Sequence, residues 1–122
     1  MLINLSNHPS GKWTHTQLQT AKQQFGRVED ISFPNVNPTD SLQQIALIAD
    51  QYLKKILKSE PDAVHIMGEF TFTYILVNKL REHHIPCLAS TTERKVEELD
   101  DGSRRQTFQF VQFRPYFTSN PV

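Results

Sequence analysis

Cysteine is almost missing from this chain: Cys87 is the only one in 122 residues, and it sits in the apolar run from Ile85 to Ala89. A disulfide framework is excluded, and a reducing, cytoplasmic home is expected. Net charge is missing too. The 13 acidic residues balance the 13 basic ones, so no global pull toward duplex nucleic acid or a membrane surface is expected, and any anion site must be local. No apolar run approaches the ~20 residues of a membrane span, and Met1 to Leu5 is far shorter than the apolar region of a signal peptide. Gly68 is a lone glycine before a helix and not part of a GxGxxG, which argues against a classical nicotinamide site. Internal repeats and low-complexity segments are also lacking. His83-His84 reads as a helix end, where the dipole favours positive charge. Asp100-Asp101 belongs to a turn without partners at metal-ligand spacing. Neither metal nor cofactor is expected.

What is present is a regular alternation of strand and helix signals. Leu2 to Leu5 is a short apolar strand that ends in the turn formers Ser6-Asn7-His8-Pro9-Ser10-Gly11. Thr14 with Gln17 offers a capping box, with Trp13 placed to staple onto Leu18, and the helix stops at Gly26. Val28 to Phe33 follows as a strand. Asp40 with Gln43 offers a second capping box, and Leu42, Ile45, Ile48, Ala49, Tyr52, Leu53 and Ile56 keep the spacing of one buried helix face. Ala63 to Met67 is the third strand. Phe70 to His83 reads as a helix, because parallel neighbours need a crossover of about a dozen residues. Ile85 to Ser90 is the fourth strand. Asp100-Asp101-Gly102 then turns a hairpin, and the spacing of Phe108, Phe110 and Phe113 places a bulge near Val111-Gln112.

This order specifies an α/β fold, an open parallel sheet of order 2-1-3-4 flanked by helices with the hairpin added at the edge. Residues 1–116 form one domain, the hairpin spans 93–114, and 117–122 are a flexible tail. The switch point lies between strands one and three, where such sheets bind ligands. Three segments converge there: Ser6 to Lys12, Gly68 to Thr73, and Ser90 to Arg94.

Each segment carries two readings. Gly68 serves packing or lets a phosphate approach the backbone. His8 is a general acid or base, or a plain loop histidine. Glu69 favours the helix dipole or accepts a ribose hydroxyl. Thr91 and Thr92 turn the chain or bind a ligand. Arg94 is a phosphate clamp or a surface ion pair. Arg105, beside Arg104, lies on a solvated face or on a hairpin that closes over a ligand. His65 alternates with buried strand residues and reads as a satisfied core or interface histidine.

Together the segments resemble a family, the small Rossmann-like proteins of type III CRISPR systems regarded as ring nucleases of cyclic oligoadenylate. The resemblance is carried by Asn4-Leu5-Ser6-Asn7-His8-Pro9, by Met67-Gly68-Glu69-Phe70, by Ser90-Thr91-Thr92-Glu93-Arg94 with Glu97 and Asp101-Gly102, and by the closing run Phe108 to Tyr116. It spans most of the chain, with Asn7 inserted between a serine and a histidine that the family keeps adjacent. It implies metal-independent cleavage of cyclic oligoadenylate, with cyclic tetra-adenylate as the expected ring. The ribose 2′-hydroxyl attacks the adjacent phosphorus and leaves linear products ending in a 2′,3′-cyclic phosphate. On that reading Arg94 and Lys12 contact the phosphate, Ser6, Asn7, Thr91 and Thr92 orient it, and His8 or Glu69 assists proton transfer. A two-fold homodimer matches the symmetry of the ring. The alternatives are a non-catalytic cyclic-nucleotide binder or sensor, and a small interaction protein of a CRISPR effector that uses the Phe-rich hairpin as an edge strand.

Overall fold

The computed structural model describes residues 1–118. Its strands are β1 (Leu2–Ser6), β2 (Val28–Ser32), β3 (Ala63–Met67), β4 (Cys87–Glu98) and β5 (Arg104–Pro115), and its helices are α1 (His15–Phe25), α2 (Leu42–Ser59) and α3 (Phe70–Glu82). A 3-10 turn at Ser10–Lys12 leads into α1. The sheet runs β2-β1-β3-β4-β5, with the first four strands parallel and β5 antiparallel to β4. The expected α/β class, open Rossmann-like sheet and strand order are all present. No helix among the described residues is long and apolar enough to cross a membrane.

The helix boundaries follow from local chemistry. Thr14 accepts a hydrogen bond from the Gln17 backbone N–H, and α1 ends at Gly26 with φ 87°, a conformation that a side chain would strain. The second capping box forms one residue later than expected, between Ser41 and Gln44. Asp40 instead accepts from the Asn37 N–H. Along α2, Ile45, Ala49 and Ile56 are buried, whereas Leu42 at its first turn is exposed.

Alternation in β1 and β3 divides the sheet into two unlike faces. Ile3, Leu5, Val64 and Ile66 meet Ile45, Ala49 and Ile56 of α2 and Phe72, Leu76 and Leu80 of α3 in one apolar core. On the opposite face Leu2, Ala63, Leu88, Phe110 and Phe113 pack with Ala21 of α1. Continuing along β1 and β3, that second face turns polar at Asn4, Ser6 and His65, all buried.

The fourth strand is longer than expected. Only Cys87 and Leu88 pair with β3, while pairing with β5 runs on from Leu88 to Glu98. Residues 91–98 therefore form one arm of a projecting two-stranded ribbon. The ladder shifts between Thr91, opposite Gln112, and Thr92, opposite Phe110, so Val111 is the bulged residue. The bulge lets Phe110 and Phe113, three positions apart, both turn inward. Phe117, expected in a tail, packs against the larger core under Arg81, whose guanidinium carbon lies 5.4 Å from the ring centre. Residues 119–122 of that expected tail lie outside the described residues.

Candidate functional site

A cleft of about 450 Å³ opens at the carboxyl ends of β1 and β3, beside the first half of β4 and the start of α1. Its walls include Ser6, Asn7 and His8 after β1, Lys12 from the 3-10 turn, Met67 and Gly68 after β3, and Ser90 and Thr92 from β4. Trp13, Thr14, Gln17 and His65 complete it. This is the position at which open α/β sheets hold ligands.

In the loop after β1 one carbonyl gathers three side-chain donors. The His8 C=O accepts from Asn4 Nδ2 at 2.9 Å, from Ser6 Oγ at 3.1 Å and from the indole N–H of Trp13 at 3.1 Å. The backbone around His8 is thereby fixed while its side chain remains exposed at the cleft.

Beneath the loop lies a row of polar side chains brought together by strand register. Asp30 on β2 stands opposite Asn4 on β1, which stands opposite His65 on β3. Asn4 Nδ2 donates to Asp30 Oδ1 at 2.8 Å. Asn4 Oδ1 lies 2.9 Å from Ser6 Oγ and 2.9 Å from His65 Nδ1. His65 Nε2 is 3.2 Å from Ser90 Oγ. The Ser90 hydroxyl also lies 3.0 Å from the Met67 sulfur.

The electrostatics of this row follow from burial at His65 and from hydrogen bonds at Asp30. His65 is only 2% exposed, with Trp13 edge-on at a centroid distance of 5.3 Å and Phe113 at 5.6 Å. Burial pushes its imidazole down to about 4, so the ring is neutral at physiological pH. Burial alone pushes the Asp30 carboxyl up, but hydrogen bonds from Asn4 and Ser10 outweigh it and hold the group below its ordinary value. His65 thus does satisfy the core reading, with its partners now identified, and it also forms part of the cleft. Trp13, expected as a staple on Leu18, lies against His65 and Phe113.

The expected site residues separate into two groups. Ser6, Asn7, His8, Lys12, Gly68 and Thr92 come together around the cleft. Glu69, Thr91, Arg94 and Arg105 are not among its walls. The Glu69 carboxylate caps α3, accepting the N–H of Thr71 at 2.7 Å and of Phe72 at 2.9 Å. Desolvation alone pushes this carboxyl up, but the hydrogen bonds from Phe72 and Thr71 together outweigh it and hold the group below its ordinary value. Thr91 Oγ1 donates to the Gln112 carbonyl. Arg94 and Arg105 stand exposed on the ribbon, so Ser90 to Arg94 is continuous strand and not a loop that wraps a phosphate. Gly68 has a packing reason. A Cβ there would come within 2.3 Å of the Phe33 ring.

Asn4, Asp30, His65 and Ser90 were not assembled by sequence reasoning. A signal existed at two of them, because Asn4 and His65 are polar residues in short, otherwise apolar strands, where a buried polar group needs a partner. An apolar groove of about 410 Å³ adjoins the cleft and shares Met67 and Gly68 with it. Phe70 and Tyr74, 90% and 73% exposed, form part of its wall together with Tyr116, which follows the end of β5. Among the described residues no group of three or more His, Cys, Asp or Glu side chains is arranged to hold a metal.

The model of the uncharacterized protein MJ1673 family matches residues 1–114, and the chain belongs to that family. The match takes in β1 through nearly all of β5, and with them every residue of the polar row. No curated protein matches the chain.

Proposed function

We propose that this member of the MJ1673 family binds cyclic oligoadenylate in the cleft and opens the ring without a metal, by attack of a ribose 2′-hydroxyl on the neighbouring phosphorus. The observation that carries the reading is the meeting, at the sheet's switch point, of one lysine, one exposed histidine and several hydroxyls with an adjoining aromatic groove. A nucleotide needs that pair of environments, polar for phosphate and sugar and apolar for the base. Lys12 meets the non-bridging phosphate oxygens, Ser6 and Thr92 orient the sugar-phosphate, and His8 delivers a proton to the departing 5′-oxygen. The adenine stacks on Phe70 and Tyr74.

A cleft of about 450 Å³ lies toward the small end of ligand sites, about 300–1,000 Å³. It has room for one nucleotide unit and not for a whole ring. A two-fold homodimer supplies the second half of the site. The ribbon supports that assembly, since it projects from the sheet and exposes Val96, Leu99, Phe108 and Val111. Arg94 and Arg105 then act across the dimer, on the partner's half of the ring. A single buried thiol, Cys87, agrees with work in the cytoplasm.

A second reading, a binder that holds the ring intact, is favoured by one observation: Glu69 is committed to its helix cap and Arg94 lies off the cleft, which leaves the site short of strong bases and phosphate clamps. One experiment separates the two. Purified protein in excess chelator is incubated with cyclic tri-, tetra- and hexa-adenylate, and the products are followed by chromatography and mass. A linear product ending in a 2′,3′-cyclic phosphate is expected. Intact ring that co-elutes with the protein moves the conclusion to a binder, and neither binding nor cleavage overturns both.

A further inference from the structure

The polar row contains more chemistry than ligand binding requires. Its hydrogen bonds determine one another: both amide hydrogens of Asn4 are used, one on Asp30 Oδ1 and one on the His8 carbonyl, so Asn4 Oδ1 is an acceptor toward His65. His65 Nδ1, 2.9 Å away, must then carry the ring's proton. Nε2 is left with its lone pair directed at Ser90 Oγ, 3.2 Å away. A hydroxyl, a neutral imidazole and an amide that orients the imidazole make the arrangement by which proteins polarise an O–H. Asp30 adds a fourth member that orients the amide.

We propose that Ser90 is the proton-accepting residue of the cleft, acting through His65, with Asn4 and Asp30 as positioning residues that hold the imidazole in its Nδ1–H form. The inference rests on the cyclic oligoadenylate reading and supplies its missing base. The ligand's 2′-O–H bond breaks and its proton passes to Ser90 Oγ, while the proton of Ser90 passes to His65 Nε2. The 2′-oxygen bonds to phosphorus, the bond from phosphorus to the 5′-oxygen breaks, and that oxygen takes its proton from His8. The imidazolium of His65 afterwards returns its proton to solvent and His8 is reprotonated, which closes the cycle. Trp13 and Phe113, packed on the ring, keep it from turning away.

The test joins a spectroscopic readout to kinetics. Long-range proton–nitrogen correlation on the labelled full chain at neutral pH is expected to show His65 protonated at Nδ1 and bare at Nε2. Asp30→Asn, at an exposed position, is expected to shift that tautomer balance and lower kcat about tenfold. Ser90→Ala is expected to lower kcat for ring opening about 100-fold or more, with Kd for cyclic tetra-adenylate changed less than about threefold. Unimpaired cleavage by folded Ser90→Ala, or a His65 ring protonated at Nε2, overturns this proposal alone. Wild-type protein that binds the ring and leaves it intact overturns the enzyme reading and the proton transfer with it.

Discussion

The two faces of the sheet solve different problems with the same strands. Toward α2 and α3, β1 and β3 present Ile3, Leu5, Val64 and Ile66, and the face is closed by fully buried Phe72, Leu76 and Leu80. Toward α1 the same strands present Asn4, Ser6 and His65, and α1 itself buries only Ala21. The first face is built for apolar burial, and the second spends part of its interior on a hydrogen-bonded row. Apolar packing and the hydrogen-bonded row thereby lie on opposite sides of a single layer, one residue apart in each strand.

That division is sharpest where a substitution touches one side only. Phe72→Ala, on the apolar face, is expected to cost about 3–5 kcal/mol in chemical denaturation; a loss no larger than a surface change would place the stabilising core elsewhere. The next largest effect belongs to the polar face and depends on pH. His65 is held near 4 in the fold against an unfolded value near 6.5, so the unfolded chain binds the extra proton first. The stability that rests on neutral His65 is complete above about pH 6.5 and is lost as pH falls toward 4, by about 3 kcal/mol in all. Melting profiles across that interval are expected to slope for the wild type and to flatten in His65→Gln. Equal slopes for both would mean that burial of His65 carries no proton linkage.

Gly68 joins the faces and gives a smaller effect. Gly68→Ala forces a methyl into the Phe33 ring and is expected to cost about 1–3 kcal/mol, part of it recovered by adding Phe33→Leu. No recovery in the double variant would show that the ring is not what excludes a side chain there. The smallest change is expected at the rim of the cleft. Lys12→Ala is expected to weaken cyclic tetra-adenylate binding about fivefold, about 1 kcal/mol, with the melting temperature of the free protein unchanged. Calorimetric titration at two salt concentrations checks it, because a phosphate contact loses its contribution in high salt.

What could be read from the residues in order was what neighbouring residues decide. The three-and-four spacing of α2, the stop at Gly26, the turn at Asp100-Asp101-Gly102 and the bulge at Val111 all depend on short stretches, and each is where the pattern put it. The second cap slipped by one because Asp40/Gln43 and Ser41/Gln44 fit the same motif, and the side chain of Asp40 is taken by Asn37. The fourth strand is expected to stop at Ser90 and give way to a polar turn, since Thr91 to Arg94 lack an apolar side. Pairing with β5, and not burial, keeps them extended. The polar row was hidden for another reason. Asp30, Asn4, His65 and Ser90 come from four strands, and only parallel register brings them into line.

Val111 shows how one residue can set direction without touching the interior. In an unbroken ladder two phenylalanines separated by two residues would point to opposite sides; with Val111 set aside, Phe110 and Phe113 count as next-but-one and both face in. Deleting Val111 would therefore leave their facing intact and remove only the bend. The core would survive, and the arm bearing Arg94 and Arg105 would be re-aimed. Changes of length at this position steer the arm, so those two charges can be swung to a new direction while the body of the protein stays as it is.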